Sequence, residues 1–330
     1  MPVGPTDSMW LRGHISELRQ VVHEQVLSED ASVVQALLRD PGASDLLYGF
    51  EDNAMSLRVP TDATYKQLYT AGPYDQLLLL TEAIGVRRIR NPEMVANPAP
   101  EIGELLEALD AFLGFRVDFP NPYPGEAGLD TGRGILTYRA TQALFQAWRV
   151  RQLVRNIRSP RILEIGAGSG RTAYYARKLG LNDYTIVDLP LTCVASANFL
   201  GRTLGPEHLR LYGEDTGGDL KIIPPAAFFQ SANRFDLAIN ADSITEMSRE
   251  TAEAYFRDVN TRARLFLSIN HEGNPFRARD LFEHHNHSRS PYLMRPGYVE
   301  EVVNTSAFSS RFGLRRAVSA LRRLTAAARP

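Results

Sequence analysis

Two hydrophobic periodicities divide the chain. Up to about residue 157, apolar side chains recur at three- and four-residue spacing, the mark of helices with one buried face. Leu11, Ile15, Leu18, Val22 and Val26 form one such stripe. Ile102, Leu105, Leu106, Leu109 and Leu113 form another, which Gly114 stops. A run of leucines, Leu77 to Leu80, follows Asp75 and ends near Gly85. The stretch 137–157 has helical spacing again, with Tyr138, Leu144, Trp148 and Val154. Before it lies Phe119-Pro-Asn-Pro-Tyr-Pro-Gly125, continued by Gly128, Gly132 and Gly134. Proline lacks an N–H and fixes φ, so this segment reads as a loop, either a plain linker or a lid and hinge.

After Pro160 the period changes. Short apolar or β-branched runs at 161–165, 184–188, 208–212, 235–240 and 265–270 predict strands. Helical spacing at 172–179, 191–204 and 249–263 fills gaps between them. Strands alternating with helices predict an α/β chain with a doubly wound, mostly parallel sheet. The expected division is a helical region over 1–136 and the α/β domain over 137–330.

Composition narrows the partners. A chain of 330 residues, 44% hydrophobic, suits one α/β domain with an appended region. The formal net charge of -1 gives no sign of nucleic acid or a membrane surface as partner. The single cysteine, Cys193, excludes an internal disulfide and a cysteine-based zinc site. It reads as a small buried hydrophobe rather than a nucleophile. Without a signal-like start or an apolar run of about 20 residues, a soluble cytoplasmic protein with no membrane insertion is expected. The stretch 311–330 holds six arginines and no acid. It reads as a solvated basic helix or as a contact to a phosphorylated substrate.

The densest chemistry sits where the first strand ends. In an open parallel sheet, ligands bind beyond the carboxyl ends of the strands. Glu164 and Ile165 end that strand, and Gly166, Gly168 and Gly170 follow, where the chain must turn and approach a ligand closely. A dinucleotide fingerprint would place its third glycine at residue 171, which is Arg171. The Glu164 carboxylate would also repel a pyrophosphate, whereas it suits a cationic cofactor. Asp188 ends the next strand, where an acid can accept hydrogen bonds from both ribose hydroxyls. A nicotinamide-dependent oxidoreductase is therefore the weaker alternative.

Leu163-Glu-Ile-Gly-Ala-Gly-Ser-Gly170 resembles the first motif of class I S-adenosylmethionine-dependent methyltransferases. That resemblance implies a Rossmann-like methyltransferase fold and S-adenosylmethionine as cofactor. It places Glu164, Gly166, Gly168, Gly170, Asp188, Leu189, Asn240 and Ala241 around the cofactor. It also puts either Glu214 or Asp215, the latter preferred, against the adenine amino group. Asp188-Leu-Pro190, taken with Asn240, Ser243, Glu246 and Met247, resembles a bacterial family of sugar O-methyltransferases over about 138–273. This implies sugar O-methylation in glycan or natural-product biosynthesis, with a sugar or polyol as the small-molecule acceptor. The N-terminal helices would then build the acceptor pocket or a lid, and contacts in a homo-oligomer. N-methylation of a small amine or amino acid is the alternative within the fold.

An alcohol is a weak nucleophile and needs a base as the new bond forms. Histidine titrates near neutrality, and His271 follows a strand end, so His271 is the first choice. Asp242 is the second choice, as base or as an orienting group. Glu246 would hold acceptor hydroxyls, or serve the first turn of a helix. No metal is expected. A divalent cation could draw on Asp242, Glu272 and a histidine, but hard cations prefer several oxygens. His284-His-Asn-His287 has no established zinc spacing.

Overall fold

Four helices lead into the sheet: α1 (Gly13–Val26), α2 (Ala31–Arg39), α3 (Ala63–Ala83) and α4 (Ile102–Leu113). The computed structural model describes residues 13–47, 63–88, 99–123 and 126–307. Leu11, the first seven residues, Pro124, Gly125 and the basic stretch 311–330 lie outside them. Helix α3 is longer than its leucine run implies and passes through Pro73. Proline reads as a boundary because it removes one helical hydrogen bond. The fully buried Leu77 and Leu80 that follow it supply packing on the same helix. Helix α4 ends at Gly114, in the left-handed conformation that glycine adopts without strain.

The proline-rich segment carries a two-stranded antiparallel ribbon, β1 (Leu129–Asp130) with β2 (Ile135–Leu136). Thr137 then caps α5 (Tyr138–Leu153), its hydroxyl accepting from the Ala140 N–H at 3.2 Å.

Eight strands form the large sheet: β3 (Ile162–Ile165), β4 (Tyr184–Val187), β5 (Leu209–Leu211), β6 (Leu220–Ile223), β7 (Phe235–Ala241), β8 (Ala263–His271), β9 (His287–Pro291) and β10 (Tyr298–Asn304). Their order is β5-β6-β4-β3-β7-β8-β10-β9. Neighbours are parallel from β5 to β8, and β10 runs antiparallel to both β8 and β9. This is the expected doubly wound, mostly parallel sheet. Every residue of β3 and β4 is buried, as in a parallel sheet covered on both faces.

Alternate residues of these strands face two separate buried clusters. Ile162 and Ile186 join one with α5, α6 (Arg171–Lys178) and α7 (Pro190–Leu204). Leu163, Ile165 and Val187 join the other with α8 (Pro225–Gln230) and α9 (Arg249–Arg262). Val22, Leu77 and Leu105 of the leading helices belong to the first cluster, so the division at 136 does not separate two cores.

Three strands of the large sheet, β6, β9 and β10, lacked a sequence signal. The most consequential is β6, four residues set between Gly217-Gly218 and Pro224-Pro225. It inserts between β4 and β5 and moves β5 to the sheet edge.

The proline-rich segment is tied down. Tyr174 donates to Asp118 at 2.7 Å, and Tyr175 to the Asp118 carbonyl at 3.0 Å. Arg171 donates to the Pro120 carbonyl at 3.2 Å and forms a buried ion pair with Glu126. Removing one member of such a pair leaves the other charge buried, at a cost of about 3–5 kcal/mol. Arg171→Met is therefore expected to lower the urea midpoint by an amount corresponding to that loss. No helix among the described residues is long and apolar enough to cross a membrane.

Candidate functional site

At the carboxyl ends of β3, β4 and β7 the chain opens into a cleft of about 1000 Å³, its open mouth included. This is where an open parallel sheet presents strand-end residues and helix N-termini to a ligand. Glu164, Gly166, Gly168, Asp188, Leu189, Ala241, Asp242 and Glu246, all expected around a ligand, line it.

Glu164 is 3% exposed, and Tyr184 donates to its carboxylate at 3.0 Å. Burial raises its pKa to about 7, against the hydrogen bonds from Tyr184 and Thr172 that favour the charged form. Asp188 is held by two backbone donors, Leu189 N–H at 2.7 Å and Gly168 N–H at 3.0 Å. Burial lifts it to about 6, although the Leu189 and Gly168 bonds and the charge of Arg19 oppose the shift. A buried carboxylate, Glu164, and a half-buried one, Asp188, thus face one cleft, and the charge of Asp188 works against the ionisation of Glu164. A cation is the ligand that relieves this. Arg19, reaching in from α1, donates to Thr192 at 3.3 Å.

The glycines divide by role. Gly166 is left-handed, with φ 76°, and a Cβ there would sit 1.9 Å from Ser243 Oγ. The close passage of the β7 turn therefore demands glycine at this position. Gly170 does not line the cleft. It begins α6, and a Cβ would meet Leu200 at 2.8 Å.

Several expected ligand contacts fall elsewhere. Asn240 is fully buried and engaged: it donates to the Ile165 carbonyl at 2.8 Å and accepts from Ile244 N–H at 3.2 Å and Asn270 at 3.1 Å. Ser243 also bonds the Ile165 carbonyl, at 3.1 Å. Both residues brace β7 against the end of β3; Asn240 does not line the cleft, whereas Ser243 does. Asp215 is fully exposed and pairs with Arg210 at 3.5 Å. The intervening β6 places its loop beyond the edge strand, away from the cleft. Glu214 accepts from the Leu211 N–H at 3.3 Å.

His271 does not reach the cleft. Its Nδ1 accepts from Gly273 N–H at 3.0 Å, and its ring packs edge-on against Tyr298 at 5.1 Å. Added Cβ atoms at Gly273 or Gly297 would meet that ring at 2.8 and 2.7 Å. Register pairs His271 with Tyr298 across β8 and β10, and Tyr298 is the residue that lines the cleft. His285 packs against Phe256, and His287 against Phe282. Glu272 is engaged by Arg289 at 2.7 Å. Among the described residues no three His, Cys, Asp or Glu side chains gather as a metal site.

Asp242 has the more telling geometry. It is the one non-glycine residue with positive φ among those described, at 71°. Such strain persists where surrounding structure enforces it, often at functional sites. Its N–H donates to the Ile269 carbonyl at 2.8 Å. Its carboxylate accepts from the Tyr298 hydroxyl at 2.7 Å and from Arg295 at 3.1 Å. Burial beside Asp242 pushes the Tyr298 pKa up, so this phenol stays a donor.

One wall of the cleft had not been anticipated. Arg139, Gln142, Ala143 and Gln146 of α5 lie at i, i+3, i+4 and i+7 and all face it. A polar stripe on an otherwise buried helix was a signal present in the sequence. Gln142 is 8% exposed and Gln146 9%. Tyr292 completes this side, within 3.3 Å of Gln146. No such local signal marks Arg295, Tyr298 or Arg19.

No protein-family model and no curated protein matches the sequence. Solved structures do resemble the fold. The magnesium protoporphyrin IX methyltransferase of Synechocystis PCC 6803, with bound S-adenosylmethionine, is 12% identical, covers 64% of this chain and 100% of its own, and has a TM-score of 0.40. A Klebsiella pneumoniae protein provisionally described as an O-methyltransferase is 14% identical, with coverage of 73% and 99% and a TM-score of 0.39. At these levels the chemistry of the cleft rests on its own residues.

Proposed function

We propose that the protein is an S-adenosylmethionine-dependent O-methyltransferase acting on a hydroxyl-rich small molecule such as a sugar. The observation that carries this reading is the pair of carboxylates, buried Glu164 and half-buried Asp188, at the ends of adjacent strands across a glycine turn. Burial raises the pKa of both, and in their charged forms they attract a cationic ligand and repel a pyrophosphate. Glu164 would hold the cofactor's ammonium side. Asp188 and the Leu189 segment would hold its ribose, with Gly166, Gly168 and Ala241 forming the close backbone cradle. When bound, the cofactor supplies a methyl group on a cationic sulfur.

The chain's own residues supply position and a proton acceptor. Asp242, fixed by Tyr298 and Arg295, would accept the acceptor hydroxyl's proton on its carboxylate. Glu246 and the amide of Gln142 hold neighbouring hydroxyls. A wall of amides, carboxylates and phenols favours an acceptor rich in hydroxyls over an apolar one.

Calorimetry tests the cofactor. S-adenosylhomocysteine should bind and NAD should not, and the reverse result would overturn the proposal. Transfer of label from S-adenosylmethionine to a panel of monosaccharides and sugar nucleotides would then identify the acceptor. Gln142→Leu should raise that acceptor's KM about tenfold, the loss of a single hydrogen bond, with the S-adenosylhomocysteine Kd unchanged.

The raised carboxylates set a pH dependence. Ionised Glu164 attracts the cation, so affinity rises with pH through about 7 and levels off above it. At pH 6 Glu164 would be about one-tenth ionised, making binding about tenfold weaker than at pH 8. Stability of the free protein runs the other way. Because the folded pKa lies above the ordinary glutamate value of 4.5, stability falls as pH rises from 4.5 to about 7. Calorimetric titrations and melting curves over this window check both trends.

A further inference from the structure

Thr172 has one hydroxyl proton and two acceptors. Its Oγ1 donates to Gln146 Oε1 at 2.8 Å, and the hydroxyl lies close enough to the Glu164 carboxylate to favour its charged form. On the far side of Gln146, its amide nitrogen lies 3.3 Å from the Tyr292 hydroxyl. The two ends of an amide are told apart only by their partners. With oxygen toward Thr172, the threonine proton goes to Gln146, and Glu164 keeps Tyr184 as its hydroxyl donor. With the amide reversed, every donor meets an acceptor in one direction: Tyr292 O–H to Gln146 Oε1, Gln146 N–H to Thr172 Oγ1, and Thr172 O–H to Glu164. A charged Glu164 favours this second arrangement, because hydrogen bonds to a charged group are the stronger ones. All four side chains line the cleft, and none is more than 9% exposed.

We propose that Gln146 is a positioning residue for Glu164: its amide nitrogen, turned toward Thr172, directs the threonine proton onto the carboxylate and couples that carboxylate to Tyr292. When Glu164 is charged, Tyr292 donates into the relay and presents lone pairs to the acceptor wall. When Glu164 is neutral, Tyr292 accepts from Gln146, and its proton is free to point into the cleft. The hydrogen-bond polarity offered to an acceptor therefore depends on the charge beside the cofactor. The names of the two ligands rest on the proposed function, whereas the relay itself is a property of the free protein.

The other groups facing Glu164 are Tyr184 of β4, as donor, and Asp188 at the end of β4, as a like charge. Asp188 in turn faces Arg19 of α1. Among the described residues Gln146 hydrogen-bonds through its side chain to Thr172 and Tyr292 and not to Tyr184 or Asp188, so changes at Gln146 should reach Glu164 through Thr172.

The test is the Glu164 titration in the free protein, followed by carbon-13 NMR after labelling the glutamate carboxyls. The Glu164 signal is assigned by its loss in Glu164→Gln. Gln146→Met and Gln146→Glu both remove the N–H donor to Thr172, and each should raise the Glu164 midpoint by about one pH unit. Thr172→Val should do the same, Thr172→Ser should leave the midpoint unchanged, and Gln146→Met with Thr172→Val should shift it no further than either alone. A midpoint within about 0.3 units of the native one in Gln146→Met or Thr172→Val, or additive shifts in the double variant, would overturn the proposal. If neither Gln146 variant folds, a Thr172→Val protein that folds without a shift overturns it equally. In a parallel arm, Gln146→Met should weaken S-adenosylhomocysteine binding about fivefold at pH 7. If the native protein binds no S-adenosylhomocysteine at any pH, the proposed cofactor is wrong, and the titration still decides the role of Gln146.

Discussion

Glu164→Gln should bind S-adenosylhomocysteine at least about a hundredfold more weakly than the native protein, the loss expected when a buried charged partner is removed. The same variant should melt higher at pH 8. An ionised Glu164 is buried among groups that favour it only partly, and its pKa of about 7 records that penalty. A rise of this size from the ordinary glutamate value corresponds to about 3 kcal/mol at most, from about 1.4 kcal/mol per pH unit. Glutamine keeps an oxygen to accept from Tyr184 and carries no charge to desolvate. The stability gain should shrink toward zero at pH 5, where native Glu164 is already protonated. Calorimetry with S-adenosylhomocysteine and scanning calorimetry at the two pH values read both effects. A variant that binds normally, or that is destabilised equally at both pH values, would show that Glu164 serves the fold and not the ligand.

Asp242→Asn should lower the methyl-transfer rate by about 10²–10⁴, the range expected when a general base is lost. Asparagine tolerates positive φ as aspartate does, so the backbone at 71° gains no new strain. It still accepts a hydrogen bond from Tyr298, and Arg295 is exposed enough to be solvated when its partner loses charge. The S-adenosylhomocysteine Kd should stay within about twofold, since Asp242 does not touch Glu164 or Asp188. His271→Ala is the control. Its ring packs outside the cleft between Gly273 and Gly297, so the rate should fall less than about threefold. Steady-state rates with labelled S-adenosylmethionine decide between them. If His271→Ala costs as much as Asp242→Asn, the base is His271.

The contrast between these two residues shows where sequence reading stops. His271 was the natural choice on chemistry, because it titrates near neutrality and follows a strand end. Its exclusion depends on the antiparallel partner β10, whose Tyr298 takes the place at the cleft. That strand carried no clear signal. Asp215 failed for a similar reason: the four-residue β6 was too short to show a period, yet it shifted the neighbouring loop out of reach. Asn240 and Ser243, read as part of one motif with Glu246 and Met247, share a partner in the Ile165 carbonyl, a contact across strands.

The sequence by itself determined the alternation of strands and helices, the glycine turn, and the two acids that end β3 and β4. These depend on local period and on residue types within a few positions of each other. The apolar runs of Ile162–Ile165 and Tyr184–Val187 could only be central strands, and Gly166 could only be a turn. Tertiary structure alone decided what faces those acids. Arg19 meets Thr192 across 173 positions, Gln146 meets Tyr292 across 146, and Tyr298 meets Asp242 across 56. Local pattern specifies which face of an element is apolar, but not which distant element closes over its polar edge. That choice is made by strand order and register, which belong to the assembled sheet.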